Sequence, residues 1–209
     1  MTFYGRACHI ASLTDSGVNA LDCAVDLYQS IKRMKAEQFP KGAIIGTIFT
    51  EAGAAPPNVV TDTATLRMTV RGRTVDDLEH IILPAIKAEA KKIAALYGAR
   101  VDMHHYEPLF KDMRQDKILL ELFDEVMTEF GERPKRLPDD EADGSTDVGN
   151  VSYEVPTAQP TLQIGLGGLE AHTPEFTCAS GGAEYGLNQA IKGAKIMAVV
   201  ALRYAMSKF

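Results

Sequence analysis

The residues with the most suggestive chemistry in this sequence lie in short loops. His172 occurs in the segment AHTPEF (171–176), beyond a glycine-rich turn. A neutral imidazole in such a loop can reach a metal ion, and Glu175 is placed to orient it or neighbouring groups. A single loop histidine is also a common surface or hydrogen-bonded residue, so the spacing by itself leaves both interpretations open.

A second polar segment, GSTDVGNVSY (144–153), gathers hydroxyl, amide and carboxylate side chains around two glycines. The pattern predicts a loop followed by a helix start, whose free backbone N–H groups could bind an anion. A simple capped helix fits the same pattern. The candidate substrate-binding residues of this segment are Ser145, Thr146, Asp147 and Asn150, with Ser152 beside them.

Three further residues could take part in catalysis or substrate binding. His9, in GRACHIAS (5–12), follows a predicted strand and precedes a turn. Asn58 stands at a loop exit and can donate to a developing oxyanion, whereas Arg71, at the end of the next strand, can hold a carboxylate by two hydrogen bonds. The structural alternatives are a hydrogen-bonded histidine, a turn-ending asparagine and a solvated arginine.

Composition excludes several functional classes. The 28 acidic residues outnumber the 22 basic ones, and the basic residues form no stripe, so a nucleic-acid partner is not expected. The most apolar stretch (196–202) is too short to span a bilayer, and no signal peptide is visible. Cys8, Cys23 and Cys178 have wide, irregular spacing that favours free thiols. We therefore expect a soluble cytoplasmic protein without a membrane partner.

Two other patterns carry no function. The segment GLGGLE (165–170) lacks the GxGxxG spacing, so dinucleotide binding is rejected. His104 and His105 are neighbours on a predicted strand and therefore point to opposite faces.

The periodicity of apolar residues predicts an α/β (α+β) fold in two domains, 1–108 and 109–209. In the first, four strands and two helices alternate in the order expected for a four-stranded antiparallel sheet covered by two helices. The predicted strands are Thr2–Tyr4, Ala43–Thr50, Val59–Val70 and Arg100–Tyr106. The helices run from Val18 to about Lys35, with Asp15 and Ser16 as possible caps, and from Thr74 to Gly98, with a kink at Pro84.

The second domain is predicted to alternate helix, strand and helix, as in part of an α/β layer. A helix covers Ile118 to Phe130 and stops at Gly131, and a polar run follows to Asp143. A strand is predicted at Thr161–Ile164 and a final alanine-rich helix from Ala183 to about Met206.

Four segments, taken in order, resemble the M20 family of metal-dependent amidohydrolases over nearly the whole chain. They are FYGRACHIAS with GVNALDC, APPNVVTDTATLRMTVRGRT, GSTDVGNVSYEVP and AHTPEF. The likeness is strongest to the branch that contains aminobenzoyl-glutamate hydrolase subunits, N-acyl amino acid hydrolases and aminoacylase-1-like proteins. The resemblance implies that residues 1–108 form the lid domain and residues 109–209 the C-terminal portion of the catalytic domain.

The resemblance also implies roles. His172 matches the last ligand of a two-metal site, holding zinc or a similar divalent ion. His9 and Asn58 match lid residues that reach the neighbouring subunit's active site in family dimers and stabilise the tetrahedral intermediate. Arg71 matches a lid arginine that receives the substrate's carboxylate, and the 144–152 loop matches a pocket lining. The implied partners are a small amide substrate carrying a carboxylate and a second copy bound through the lid.

The sequence departs from the family pattern in one respect. The family's other metal ligands and its glutamate base lie upstream of the lid, and this chain has no Glu-Glu pair or His-x-Asp segment. A catalytic zinc usually has three protein ligands, and His172 alone is recognisable. We therefore expect the chain alone to be inactive; the alternative is a non-catalytic dimerisation or ligand-binding module.

Overall fold

The computed structural model describes residues 1–12, 16–53, 56–136, 144–164 and 167–206. These residues divide into two compact units, Met1–Leu109 and Phe110–Phe209. None of the described helices has the length and apolar content needed to cross a membrane.

The first unit is built on a four-stranded antiparallel sheet in the order β2-β3-β1-β4. The strands are β1 (Thr2–Tyr4), β2 (Ile44–Glu51), β3 (Thr63–Arg71) and β4 (Arg100–Asp102). Helices α1 (Ala20–Glu37) and α2 (Leu83–Tyr97) cover one face. The predicted fold class is confirmed, although β3 begins later and β4 ends earlier than the sequence suggested.

The core of this unit lies between the two helices and the inward side chains of the sheet. Alternation along β3 places Ala64 and Leu66 inside and Arg67 outside, as expected for a strand with one solvated face. The largest fully buried side chains of this core are Phe3, Leu27, Leu66, Ile82 and Ile86.

The first helix begins at Ala20, two residues later than predicted. Asn19 is its N-cap, with its side-chain oxygen accepting a hydrogen bond from the Leu21 N–H at 3.1 Å. Ser16 therefore does not cap it, and Asp15 lies outside the described residues. Asparagine is among the strongest N-cap residues because its short side chain reaches the free N–H groups of the first turn.

The helical residues that lead into α2 follow Thr74, as predicted, and the Thr74 hydroxyl accepts from the Asp77 N–H at 3.1 Å. A π-helical turn, Asp77–Ile82, precedes α2, so Pro84 lies in the first turn of α2. The π-helical turn ends at Ile82, directly before the Leu83–Pro84 pair, and the kink at Pro84 stays a prediction. Gly98 ends α2 in the left-handed conformation, with φ of 69°.

The second unit consists of helices and loops. Its helices are α3 (Lys117–Glu129), α4 (Val148–Ser152), α5 (Pro174–Thr177) and α6 (Glu184–Met206), with a π-helical turn at Cys178–Gly182. Helices α3 and α6 pack together through a small apolar core. Its buried residues are Val126, Met127, Ile196 and Val200.

The strand predicted at Thr161–Ile164 is wrong, because the described residues of this unit contain no strand. The segment is held by side chains instead: the buried Gln189 amide donates to the Gln163 carbonyl at 2.9 Å. An alternating sequence forms a strand only where a neighbouring strand accepts its hydrogen bonds.

Replacing Asn19 by Ala is expected to lower the free energy of unfolding by about 1 kcal/mol, because the first turn of α1 loses its cap. Urea denaturation measures the change, and Asn188→Ala, on the exposed side of α6, is the control. Equal stabilities for the two variants would contradict the capping role.

Burial raises the pKa of the Cys23 thiol from 9.0 to about 11. Because the folded pKa lies above the unfolded one, this contribution to stability is complete below pH 9.0 and is lost as the pH rises through 11. At pH 8 we expect an alkylating reagent to modify the exposed Cys178 and spare Cys23 until the chain unfolds. Mass spectrometry of the labelled protein checks this, and equal labelling of both cysteines would contradict it.

Candidate functional site

The segments that contain His9 and Asn58 are paired by backbone hydrogen bonds that continue the β1–β3 ladder. The Gly5 N–H donates to the Asp62 carbonyl at 2.7 Å, and the Ile10 N–H donates to the Asn58 carbonyl at 2.8 Å. His9 itself lies opposite Val59 in an antiparallel bridge. Two residues 49 positions apart in sequence are thus neighbours in space.

The pairing contains a one-residue shift of register. Tyr4 lies opposite Thr63, and an unbroken ladder would set His9 opposite Asn58; it lies opposite Val59 instead. The additional residue lies between Tyr4 and His9, and Arg6 in this stretch pairs with Val18. Since side chains alternate across a strand, a one-residue shift moves His9 to the other face of the sheet. The bulge therefore decides where the imidazole points.

Gly5 permits this arrangement through its lack of a side chain. A Cβ atom at Gly5 would lie 2.0 Å from the Val18 carbonyl oxygen, a separation that backbone atoms cannot relieve without moving. The close approach lets Arg6 and Val18 exchange both backbone hydrogen bonds, at 2.9 and 3.0 Å.

The imidazole of His9 is exposed, and its Nδ1 accepts a hydrogen bond from the Ala11 N–H at 3.2 Å. In the neutral ring an accepting Nδ1 implies a proton on Nε2, so the outer nitrogen is a donor. The Asn58 side chain is exposed too, and its backbone carbonyl is already used by Ile10. The pair therefore offers an imidazole N–H and a side-chain amide as hydrogen-bond donors.

Arg71 lies at the opposite end of β3, paired with Ile44. The strand from Thr63 to Arg71 measures on the order of 25 Å, so one copy of the chain does not bring Arg71 to the His9–Asn58 pair. Its side chain is exposed, and no ion pair joins it to another described residue.

A shallow cleft of about 270 Å³ lies beside the paired segments. It carries two carboxylates, Glu51 and Asp62, which the sequence did not single out and which the β2–β3 pairing brings to the same end of the sheet. The complete lining is Ala7, Glu51, Gly53, Val59, Val60, Thr61, Asp62 and Thr63.

The 144–153 segment forms the short helix α4, and its side chains are engaged locally. Asn150 accepts from the Lys111 N–H at 2.8 Å, and Ser152 accepts from the Arg114 N–H at 2.9 Å. Gly149 is buried against the same stretch, where a Cβ would lie 2.0 Å from the Lys111 carbonyl oxygen. Asn150, Ser152 and Gly149 thus fix residues 111–114 to α4.

The start of α4 has its own N–H groups satisfied. The Thr146 hydroxyl accepts from Val148, and the Asp147 carbonyl accepts from Asn150. Ser145 and Asp147 are exposed, and the Asp147 carboxylate already places negative charge at the helix start. The capped-helix interpretation accounts for these contacts, and substrate binding by Ser145, Thr146, Asp147 and Asn150 stays a prediction.

His172 is exposed in a turn with φ of 65°, which makes it the one described non-glycine residue in the left-handed region. The turn is fixed from its C-terminal side by Thr173, which caps α5 by accepting from the Phe176 N–H at 3.2 Å. The Thr173 hydroxyl also donates to the Glu170 carbonyl at 2.8 Å. Residues held in sparsely populated backbone conformations cluster at functional sites.

Within the ranges that the structure describes, no group of three His, Cys, Asp or Glu side chains could hold a metal ion. His172 is one donor, and zinc sites usually have three or four protein ligands. Metal binding by His172 stays a prediction. The predicted orienting role of Glu175 toward His172 stays a prediction.

Comparison with curated proteins finds two similar Xaa-Arg dipeptidases. The chain is 30% identical to the human protein and 29% identical to the mouse protein, over 205 residues, or 96% of its length. These residues span 45% of the human and 46% of the mouse protein, so the chain has about half the length of these relatives. A search against models of known protein families matches none of them.

Among solved structures, the fold resembles that of a protein from methicillin-resistant Staphylococcus aureus described as an aminohydrolase. The TM-score is 0.58 and the sequence identity 17%, over 74% of this chain and 40% of that one. This likeness confirms the fold class. Together, the curated and structural relatives support the resemblance to the M20 family, whereas the particular branch stays a prediction.

Replacing Gly5 by Ala is expected to lower the free energy of unfolding by roughly 2 kcal/mol, because the added Cβ overlaps the Val18 carbonyl. Gly46→Ala is the matched control, since a Cβ there meets no atom within 4 Å. Urea denaturation compares the two variants. Equal stability of the two variants would show that the close approach of Gly5 to the Val18 carbonyl does not contribute to stability.

Replacing His172 by Gly is expected to raise the free energy of unfolding by about 1 kcal/mol relative to His172→Ala, because glycine adopts the left-handed conformation without a steric cost. Thermal or urea denaturation of the two variants measures the difference. An alanine variant at least as stable as the glycine variant would contradict the left-handed turn.

Proposed function

We propose that this chain forms the lid and the C-terminal part of the catalytic domain of a metal-dependent amidohydrolase. The proposed substrate is small, carries a carboxylate and contains the scissile amide: an N-acyl amino acid, an aminobenzoyl-glutamate or a dipeptide. The names of the relatives favour amide or peptide hydrolysis, and those of the two curated ones favour a dipeptide. The observation that carries the proposal is the backbone pairing of the His9 and Asn58 segments.

In this proposal His9 and Asn58 hold the oxyanion that forms when water attacks the amide carbonyl. The Nε2–H of His9 and the side-chain amide of Asn58 are the donors, and the ladder between their segments fixes them relative to each other. Donors that are positioned before the reaction stabilise developing charge without a reorganisation cost.

In this proposal Arg71 of one copy binds the carboxylate of the substrate whose amide lies at the His9–Asn58 pair of the other copy. Strand β2 is an edge strand whose exposed Ile44 and Ile48 accompany an uncharged run over residues 43–50. Such an edge is a template for pairing with an identical strand.

Antiparallel pairing of β2 with its copy would set the Ile44 end of one chain beside the Glu51 end of the other. Arg71 lies opposite Ile44, and Thr65 lies opposite Glu51. Arg71 would then be three strand spacings, on the order of 15 Å, from the copy's β3 near Thr65. The His9–Asn58 pair adjoins that end of β3, so a homodimer through the lid shortens the separation found within one chain.

In this proposal the metal ion is zinc and would have His172 as one ligand. Its other ligands and a glutamate base would come from the counterpart of the part of the curated relatives that this chain does not cover. When bound, such an ion polarises the amide carbonyl and lowers the pKa of a bound water. On this basis the chain alone is proposed to be inactive.

A second candidate function is a dimerisation or ligand-binding module without catalysis. It is favoured by one observation, the lack of a three-ligand group among the residues the structure describes. Such a module would keep the β2 edge and Arg71 and would not require His9 or Asn58.

Zinc titration by calorimetry, followed by assay with dipeptides ending in arginine, N-acyl amino acids and aminobenzoyl-glutamate, tests the proposal. We expect the chain alone to bind no stoichiometric zinc tightly and to hydrolyse none of these. Mixed with the part of the mouse relative outside the matched 205 residues, it is expected to bind zinc and hydrolyse one class. Zinc binding without hydrolysis would favour the non-catalytic module.

In the active mixture, His9→Ala and Asn58→Ala are each expected to lower kcat by roughly 100-fold to 1,000-fold, because one oxyanion donor is lost. Arg71→Ala is expected to raise KM, as the substrate's carboxylate loses its partner. His105→Ala, an exposed histidine in the same unit, is the control for kcat. Unchanged kcat for the His9 and Asn58 variants would exclude both as oxyanion donors.

A further inference from the structure

Strand β3 presents two arginines on the face of the sheet that the helices leave uncovered. Side chains alternate across a strand, so Arg67, Thr69 and Arg71 share this exposed face while Leu66 lies in the core. Four positions separate the two arginines, which sets their Cα atoms on the order of 13 Å apart. Two arginine side chains that extend toward each other can span this distance and hold both ends of one small molecule.

A gap in the neighbouring strand β2 lies opposite the middle of this row. The opposing pairs, in order along the two strands, are Ile44–Arg71, Gly46–Thr69 and Ile48–Arg67. The two isoleucines are 55% and 59% exposed, whereas a Cβ atom added to Gly46 would meet no atom within 4 Å. We call this gap the Gly46 notch. A glycine inside a strand weakens packing and often marks a place where a ligand or another backbone approaches closely.

The positive charges beside the Gly46 notch have no acidic partner among the residues that the structure describes. The ion pairs of those residues include neither Arg67 nor Arg71. Opposite charges on facing strands stabilise a sheet, but here the facing residues are isoleucines. Arg100, on the same face in β4, shows the contrast, because it forms an ion pair with Asp102. The two arginines of β3 are thus available to an anion.

An aromatic ring positions one of the two guanidinium groups. The Arg67 Cζ atom lies 5.2 Å from the centre of the Tyr106 ring. A planar guanidinium that stacks on an aromatic ring keeps the N–H groups at its edge free to bind a carboxylate through two hydrogen bonds. Arg67 is therefore placed for anion binding before a ligand arrives.

We infer that Arg67 is a specificity-determining residue that binds a second carboxylate of the substrate while Arg71 binds the first. The inference rests on the proposed function of Arg71 and narrows the substrate class. The residue that carries the substrate's carboxylate would also have an acidic side chain, as in an acyl-glutamate or acyl-aspartate, and would lie over the Gly46 notch. A cationic side chain there would meet the like charge of Arg67. Both arginines belong to one strand of one copy, so the pair forms without a metal ion or a second copy.

The test measures ligand binding to the full 209-residue chain by NMR, with the arginine Nε–H and Gly46 N–H signals as the readout. The ligands are N-acetylglutamate, N-acetylglutamine, which has nearly the same shape and one charge fewer, and N-acetylarginine. Low salt is used because salt screens exposed charges. The variants are Arg67→Gln, Arg71→Gln and Gly46→Val, which fills the notch, with Arg133→Gln, at an exposed arginine of the second unit, as the matched control. A urea melt verifies that each variant folds.

We expect the wild type and Arg133→Gln to bind N-acetylglutamate at least about tenfold more tightly than N-acetylglutamine, and N-acetylarginine most weakly. Arg67→Gln is expected to abolish the preference for glutamate, because the second carboxylate loses its partner. Gly46→Val is expected to weaken the binding of N-acetylglutamate by occupying its place. Equal affinity of the folded wild type for N-acetylglutamate and N-acetylglutamine, no binding of either, or a preference that survives in Arg67→Gln would overturn the inference.

Two further outcomes separate this inference from the proposed function. Arg71→Gln is expected to weaken the binding of N-acetylglutamate and N-acetylglutamine alike, since both have the carboxylate that Arg71 holds. A preference for glutamate that depends on Arg67, in a chain that hydrolyses no amide after mixing with the complementing polypeptide, would support the inference and count against the proposed activity alone. Equal kcat/KM of that mixture for acyl-glutamate and acyl-glutamine would contradict the inference and leave the proposed activity intact.

Discussion

The one-residue register shift between β1 and β3 is the constraint on which the candidate site depends. The core fixes the first part of the ladder, because Phe3 and Ala64 face each other and are fully buried. Beyond Gly5 the chain takes an extra residue, and the pairing resumes with His9 opposite Val59. The packing that stabilises the sheet thus also determines the face on which His9 is displayed.

In the second unit, polar contacts beside a small apolar core hold the residues that precede the His172 loop in sequence. Glu132 forms an ion pair with Lys192 at 2.6 Å, and that hydrogen bond lowers the pKa of the Glu132 carboxyl. Gln189 joins the same group and holds the carbonyl of Gln163. Segment 161–164 is therefore tied to α3 and α6 just before the turn that carries His172. This network replaces the predicted strand as the support of the loop.

The sequence predicted the elements that depend on local patterns. Apolar spacing located α1, α2, α3 and α6, and Gly98 and Gly131 marked helix ends because both adopt the left-handed conformation. Prediction failed where an element needs a neighbouring strand. The strand predicted at Thr161–Ile164 was wrong, because no described strand lies beside this segment. The Asn19 cap was missed because Asp15 and Ser16 are equally good capping residues by type.

For the candidate site, residue types were easier to predict than geometry. His9 and Asn58 were chosen from different loops, and a short backbone ladder makes them neighbours. A bulge leaves no local signal in the sequence, so the face on which His9 lies could not be predicted. The cleft with Glu51 and Asp62 depends on the β2–β3 pairing, which residue types alone do not reveal. Arg71 shows the opposite difficulty: its chemistry suits the site, but β3 separates it from the pair within one chain.

The central claim is that His9 and Asn58 act together on a scissile amide, with Arg71 contributed by a second copy. The most direct measurement is a crystal structure of the chain, assembled with its complementing polypeptide and zinc, bound to a phosphinic dipeptide analogue that imitates the tetrahedral intermediate. The account predicts that His9 Nε2 and the Asn58 amide donate to a phosphinyl oxygen of the analogue while Arg71 of the other copy contacts its carboxylate. An analogue bound beside the metal with His9 and Asn58 of every copy beyond hydrogen-bond distance would contradict it.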